Sequence, residues 1–276
     1  MDSPPAFNPT PRRAAELALA CLDLTSLNDA DTPADIARLC ARAHGPRGTV
    51  AAVCVWPRLA AFARREAPAG VAVAAVANFP DGSLDTQRVT REVGEIVQAG
   101  AQEVDVVLPW RALLCGDERG CAAVLAAARR ASQGLVLKVI LESGELGEPA
   151  QVQRAGALAL QGGADFLKTS TGKTRQGASP QAARAMLGLL AAQERAGGRP
   201  GGFKASGGVR TVADAAQYMG LVAQALGEAA LTPGRFRIGA SSLLEDIEAV
   251  LAWPAGLPQP PLRGAAPPAP DPTNPY

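Results

Sequence analysis

A chain of 276 residues with 27 Lys and Arg against 26 Asp and Glu carries a net charge of only +1, which excludes the strong single-sign field that nucleic acid or anionic lipid partners select. Hydrophobic residues make up 47% of it, yet no run approaches the roughly 18 apolar residues of a spanning helix, and MDSPPAFNPTPRR has no signal-peptide core. The expected setting is therefore cytoplasmic and off the membrane, with a small molecule as partner and no nucleic acid.

Short apolar, β-branched runs recur along the chain, each followed by a stretch of helical period, the pattern of repeated βα units. In order, the predicted strands are Leu19 to Asp23, Thr49 to Val55, Val71 to Ala77, Glu103 to Leu108, Leu135 to Leu141, Asp165 to Thr169, Gly202 to Ala205 and Phe236 to Gly239. Helix start signals stand between them at Thr32-Pro33-Ala34-Asp35, Ser179-Pro180 and Thr211-Val212-Ala213-Asp214. Eight such units predict an α/β fold, a single-domain (β/α)8 TIM barrel, with its active site at the C-terminal ends of the strands. Residues 1–12 and 254–276 are rich in Pro and Gly and lack a period, so they read as tails around a barrel spanning 13–253. Five cysteines (Cys21, Cys40, Cys54, Cys115 and Cys121) form an odd set without a CxxC pair, the usage of reduced thiols rather than of a disulfide framework.

Only four of the basic residues are lysine: Lys138, Lys168, Lys173 and Lys204. A coding bias toward arginine explains the surface but not these exceptions, and an amine can be neutralised and act as a nucleophile where a guanidinium cannot. Side chains alternate along a strand, so the apolar face of LVLKVIL turns Lys138 into the barrel. The same test turns Lys168, Lys204 and Asp105 inward, with the two lysines on consecutive strands. Burial and mutual repulsion would lower an amine pKa from its ordinary value of about 10.4, and a carboxylate beside amines can pair with them or relay protons.

Glycine-rich turns follow the last three strands at Ser170-Thr171-Gly172-Lys173, Ser206-Gly207-Gly208-Val209-Arg210 and Gly239-Ala240-Ser241-Ser242. Their free backbone N–H groups, Lys173 and Arg210, and a helix starting near Thr211 or Leu243 suit a phosphosugar. The single histidine, His44, lies at the predicted end of a helix, whereas a zinc-dependent aldolase usually needs several histidines; no GxSxG elbow or strand-following GxGxxG appears. Two further readings share the phosphate turns: another phosphosugar enzyme (an isomerase, epimerase or transaldolase-like barrel), and a non-catalytic phosphosugar-binding barrel. The first has no need of two adjacent inward lysines, and the second leaves Asp105, Lys168 and Lys204 without a purpose.

The segments DLTSLND (Asp23 to Asp29), EVDVVLPWRALLCG (Glu103 to Gly116), LKVILESGEL (Leu137 to Leu146), ADFLKTSTGK (Ala164 to Lys173), GFKASGGVRT (Gly202 to Thr211) and GASSLL (Gly239 to Leu244) together resemble the deoxyribose-phosphate aldolases. Departures are minor, notably Leu108 and Trp110 around Pro109. The resemblance implies reversible cleavage of 2-deoxy-D-ribose 5-phosphate into acetaldehyde and D-glyceraldehyde 3-phosphate, without metal or organic cofactor, by a monomer or homodimer. It implies a Schiff base on Lys168, with Lys204 tuning it and sharing proton transfer, Asp105 completing the relay and Lys138 nearby. Substrate and phosphate contacts are expected at Asp23, Thr25, Thr169, Gly172, Lys173, Gly207, Gly208, Val209, Arg210, Gly239, Ser241 and Ser242. The resemblance also includes a terminal tyrosine, here Tyr276, as a helper in the α-proton step.

Overall fold

The eight apolar runs become eight strands because each is too short for a helix and is flanked by turn residues. The computed structural model describes residues 7–254 together with Leu257 and Leu262. Its strands are β1 Leu22–Thr25, β2 Ala52–Val55, β3 Ala72–Ala77, β4 Glu103–Val107, β5 Val136–Ile140, β6 Phe166–Lys168, β7 Gly202–Ser206 and β8 Phe236–Ala240. All pair in parallel in chain order, and β1 joins both β2 and β8, which closes a barrel.

Around it lie α1 Pro11–Ala20, α2 Pro33–Arg42, α3 Pro57–Glu66, α4 Thr86–Gln98, α5 Trp110–Leu114, α6 Glu118–Ala131, α7 Ser143–Leu146, α8 Pro149–Gln161, α9 Pro180–Arg195, α10 Val212–Leu226 and α11 Leu243–Ala252. The predicted start signals cap three of them. Thr32 with Asp35, and Thr211 with Asp214, form reciprocal capping boxes, while the Ser179 hydroxyl accepts from Ala182 N–H. The main apolar core lies between strands and helices, where Val53, Val73, Leu137, Val139, Leu167, Phe203, Phe236 and Ile238 are fully buried. None of the helices among the described residues is long and apolar enough to cross a membrane.

Two boundaries depart from the sequence pattern. The first strand begins at Leu22, because Leu19 and Ala20 complete α1, whose Ala14, Ala15, Leu17, Ala18 and Leu19 are buried on a helical face. His44 lies beyond α2, in a two-residue antiparallel ladder where His44–Gly45 meets Gly48–Thr49; Pro46 ends the helical course, and Gly48 takes a left-handed φ of +135°. The His44 ring nitrogen Nδ1 pairs with the Thr49 hydroxyl at 2.8 Å. Thr49 thus belongs to this hairpin, and the second barrel strand starts at Ala52.

Candidate active site

Most TIM barrels fill their interior with branched apolar side chains; this one places ions there. The strand registers set Asp105 beside Lys138, Lys168 beside Lys204, and Lys204 beside Arg237. The centre is Asp105, whose Oδ1 accepts from Lys138 Nζ at 2.8 Å and whose Oδ2 accepts from both Lys168 Nζ and Lys204 Nζ at 2.7 Å. Asp23 Oδ2 accepts from Lys204 Nζ at 2.5 Å, and its Oδ1 from Arg237 Nη1 at 2.6 Å. Glu103 accepts from Arg237 at 2.6 and 3.1 Å and pairs with Lys138 at 2.5 Å. Lys204 reaches this position because residue 239 is glycine: a Cβ there would stand 3.0 Å from Lys204 Cε and 2.9 Å from Ser206 Cβ.

The three inward amines differ in their electrostatics. Burial pulls the Lys168 pKa down, the neighbouring Lys204 charge adds to this, and the opposing pull of Asp105 does not reverse it, so Lys168 ends below its ordinary value. Burial also works to lower Lys204, but the Asp105 and Asp23 carboxylates outweigh it and raise the pKa. That corrects the expectation that repulsion would lower both amines: Lys204 touches two carboxylates and Lys168 one. Lys138 is likewise raised, since Asp105, Glu103 and Asp23 overcome its burial. Although burial favours protonated acids, the surrounding cations hold Asp105 and Asp23 below the usual carboxylate range. Lys168 is therefore the one of the three amines that gives up its proton more readily than usual, and it alone of the three keeps a trace of exposure.

Above the ions, at the C-terminal ends of the strands, lies a cavity of ≈370 Å³, within the size range of small-molecule sites. Lys168 is on its wall together with Thr25, Gly172, Lys173, Gly207, Gly208, Val209, Arg210, Gly239, Ser241 and Ser242. Ser26, Leu27, Asn28, Thr171, Ser206 and Ala240 complete the lining. Of the residues expected to contact substrate, Asp23 and Thr169 are not on this wall. Asp23 is committed to Lys204 and Arg237, and the Thr169 hydroxyl accepts from Ser206 N–H and donates to Ser206 C=O. Asp105, Lys138 and Lys204 sit beneath the wall, touching Lys168 or one another. Tyr276 lies outside the described residues.

Two candidate helix ends were expected to offer N–H groups to an anion, and the structure separates them. At α10 the amides of Arg210 and Thr211 donate to Asp214, and that of Val212 donates to Asp246. That end is already satisfied by carboxylates. At α11 the side chain of the preceding Ser242 makes no capping hydrogen bond, although its carbonyl accepts from Glu245 N–H, and Ser241 and Ser242 lie on the cavity wall, so this helix start and its partial positive charge stand at the rim. The turn of Gly207 and Gly208 has φ of +85° and +88°; a Cβ on Gly207 would meet Ser170 Oγ at 2.5 Å and Gly177 Cα at 2.9 Å.

Three buried polar residues at the site lie outside the sequence-based expectation. Glu103 and Arg237 were legible, since EVDVV and FRIG turn them inward by the alternation that places Asp105 and Lys204. Glu142 was not: it sits just past β5 with φ of +55°, and its carboxylate accepts from Thr171 N–H, Thr171 Oγ1 and Thr174 Oγ1, anchoring the segment after Lys168. Among the described residues, no group of His, Cys, Asp and Glu is arranged to hold a metal.

The profile of the DeoC/LacD family aldolases matches residues 17–248. A deoxyribose-phosphate aldolase from Agrobacterium fabrum (strain C58) is 43% identical over 245 residues, covering 88% of this chain and 93% of that protein. Among solved structures, a Toxoplasma gondii ME49 protein provisionally named a deoxyribose-phosphate aldolase superposes with a TM-score of 0.81 at 25% identity, covering 88% of this chain and 99% of that one. A tetrameric deoxyribose phosphate aldolase from Aeropyrum pernix gives 0.67 at 25% identity, with 87% and 92% covered.

Proposed function

This chain belongs to the DeoC/LacD aldolase family, and from that premise we propose that it reversibly cleaves 2-deoxy-D-ribose 5-phosphate into acetaldehyde and D-glyceraldehyde 3-phosphate through an imine on Lys168. The observation that carries this reading is the shared oxygen: Lys168 and Lys204 both hydrogen-bond Asp105 Oδ2 at 2.7 Å, and Lys168 alone of the pair lines the cavity.

In cleavage, the neutral Lys168 amine adds to the C1 aldehyde of the open-chain sugar and water leaves. The protonated imine draws in the electrons of the C2–C3 bond as the 3-hydroxyl loses its proton, and the phosphorylated aldehyde departs. The enamine is then protonated at C2 and hydrolysed to acetaldehyde, restoring the amine. Asp105 and Lys204, within hydrogen-bond reach of Lys168 Nζ or of its partner oxygen, are suited to move these protons. The turns after β7 and β8 and the open start of α11 would hold the phosphate, with Lys173 and Arg210 at the rim. Tyr276 is proposed to assist the proton step at C2, tested by Tyr276→Phe and the exchange of acetaldehyde α-protons with deuterated water. Free thiols support a cytoplasmic setting, and a monomer or homodimer is the proposed assembly.

Borohydride reduction in the presence of acetaldehyde tests the assignment. A stable adduct mapped to Lys168, absent from Lys168→Arg, is expected; absence of any lysine adduct refutes the imine mechanism.

A further inference from the structure

We propose that Arg237, acting through Asp23 and Glu103, is a positioning residue that fixes the charge balance of the barrel interior so that Lys168 is the amine left without its proton. The inference rests on the imine reading of Lys168 and concerns groups that never touch it.

The interior network contains four basic side chains, Lys138, Lys168, Lys204 and Arg237, and three carboxylates, Asp23, Glu103 and Asp105. All are buried. With every group ionised, the network holds one surplus positive charge, which a low-dielectric interior disfavours. One base must then give up a proton, and the contacts decide which. Arg237 cannot, because a guanidinium stays charged. It is fixed by hydrogen bonds to Asp23, Glu103 and the Pro233 carbonyl, and its guanidinium carbon lies 5.8 Å from the centre of the Phe166 ring. Lys138 faces three carboxylates at 2.5, 2.8 and 3.5 Å, and Lys204 faces two. Lys168 has a single oxygen of Asp105, shared with Lys204.

Other titratable groups nearby lie outside this ion-pair network and are unchanged between the parent and the variants. Two buried thiols face the ions, Cys54 on β2 and, beside Arg237 and Asp23, Cys21 just before β1; burial pushes the pKa of both up, which keeps them neutral. Glu142, past the end of β5, is bonded to Thr171 and Thr174 and, among the described residues, forms no ion pair within 4 Å; burial raises its pKa, its charge acts on Lys168 at longer range, and that influence is the same in the parent and in every variant. The inward positions of β3 are Ala72, Ala74 and Val76. Lys173 and Arg210 stand at the cavity mouth.

Without the Arg237 charge, three amines would face three carboxylates, and Lys168 would keep its proton at neutral pH. The imine-forming species would then be scarce, although every residue around Lys168 is unchanged.

The test compares pH profiles of kcat/KM, together with borohydride trapping on Lys168, in the full-length enzyme, Arg237→Met, Glu103→Gln and the double variant. In Arg237→Met the acid limb should move up by a unit or more, a tenfold or greater loss of trapped imine at neutral pH. Removing one carboxylate in the double variant restores the surplus, so its acid limb should return toward that of the parent. An acid limb in Arg237→Met that coincides with the parent's overturns the proposal, as does a double variant no closer to the parent than Arg237→Met. If Arg237→Met does not fold, Glu103→Gln against the double variant reads the same arginine charge: the double variant should have the higher acid limb, and coincident limbs overturn the proposal. Failure of the imine reading is separate, since the parent itself would then yield no adduct on Lys168.

Discussion

Replacing Gly239 by alanine adds one methyl group where the barrel interior is tightest. Gly239 is outside the left-handed region, so its backbone accepts alanine without conformational strain. The obstacle is space. The new Cβ would stand 2.9 Å from Ser206 Cβ and 3.0 Å from Lys204 Cε, whereas carbon atoms rest at roughly 3.5–4.0 Å. Ser206 is held on β7 through its N–H to Thr169 Oγ1 and its hydroxyl to the Ser170 carbonyl, so the Lys204 stem is the neighbour that yields. A shift of about 0.5–1 Å at Cε carries Nζ from 2.5 and 2.7 Å of its two carboxylates toward the limit of hydrogen bonding near 3.2 Å. Overpacking of this kind costs roughly 1–3 kcal/mol, and a chain of this size loses about 2–4 °C of Tm per kcal/mol. Displacing a catalytic group by about an ångström costs on the order of 10²-fold in rate. We expect kcat for the retro-aldol reaction to fall by about 10- to 100-fold, a larger effect than the modest loss of Tm would suggest, with the Lys168 imine still trapped by borohydride. Steady-state kinetics and thermal unfolding measure the two. Parental kcat at an unchanged Tm would show that Lys204 is not confined by the bare backbone at 239, and the reasoning would be wrong.

Lys204→Leu removes a positive neighbour that helps keep the Lys168 pKa low, so the acid limb of kcat/KM should move to higher pH and turnover near neutrality should drop by about 10²–10⁴-fold, the range of a lost proton-transfer group; an unshifted limb excludes tuning. Ser242→Glu puts a carboxylate at the uncapped start of α11 and should raise KM for phosphorylated substrate by about 10- to 100-fold through charge repulsion, leaving small unphosphorylated aldehydes nearly unaffected. Equal losses for both substrates would make the turn structural. It is a cleaner test than a side chain at Gly208, whose φ of +88° strains any replacement. Gly188→Ala, on an exposed helical position with nothing within 4 Å of the new Cβ, should raise stability by about 0.5–1 kcal/mol in denaturant titrations without changing kcat.

The sequence made the barrel and its chemistry readable through a single property, the two-residue period of a strand. In LVLKVIL the apolar set claims the helix-facing side and leaves Lys138 nowhere to go but inward, and EVDVV and GFKAS work the same way. The same rule, applied to Glu103 and to Arg237 in FRIG, yields the rest of the network. A coding bias accounts for the arginines of the surface and masks Arg237, the buried arginine among the described residues. Where period gives no signal the reading stops. Glu142 holds Thr171 and Thr174 from a left-handed position that only the folded chain defines. At the first strand, an Ala- and Leu-rich run satisfies helix and strand patterns alike, and α1 took Leu19 and Ala20. At α10 the capping box was legible, but its consequence is three-dimensional: Asp214 occupies amides at the helix start and so withholds them from an anion, and Asp246 reaches over from α11 to take another.

The division of labour between strand faces explains how such an interior is tolerated. Removing ions from water costs several kcal/mol each even after relaxation, and here seven ionisable side chains are buried together. Close ion pairs and hydrogen bonds recover part of that cost, and the remainder falls on the opposite faces of the same strands, where fully buried Val, Leu, Ile and Phe pack under the helices. The strand backbone carries no choice between the two: its ladder is closed, so a register slip by one residue would send every apolar side chain inward and every ion into the helix layer. The arrangement that exposes Lys168 to the cavity is therefore enforced by hydrophobic burial on the other side of the sheet, and the charge-balance proposal adds that the reactivity of the amine is set by ions it does not touch as well as by Asp105, the one it does.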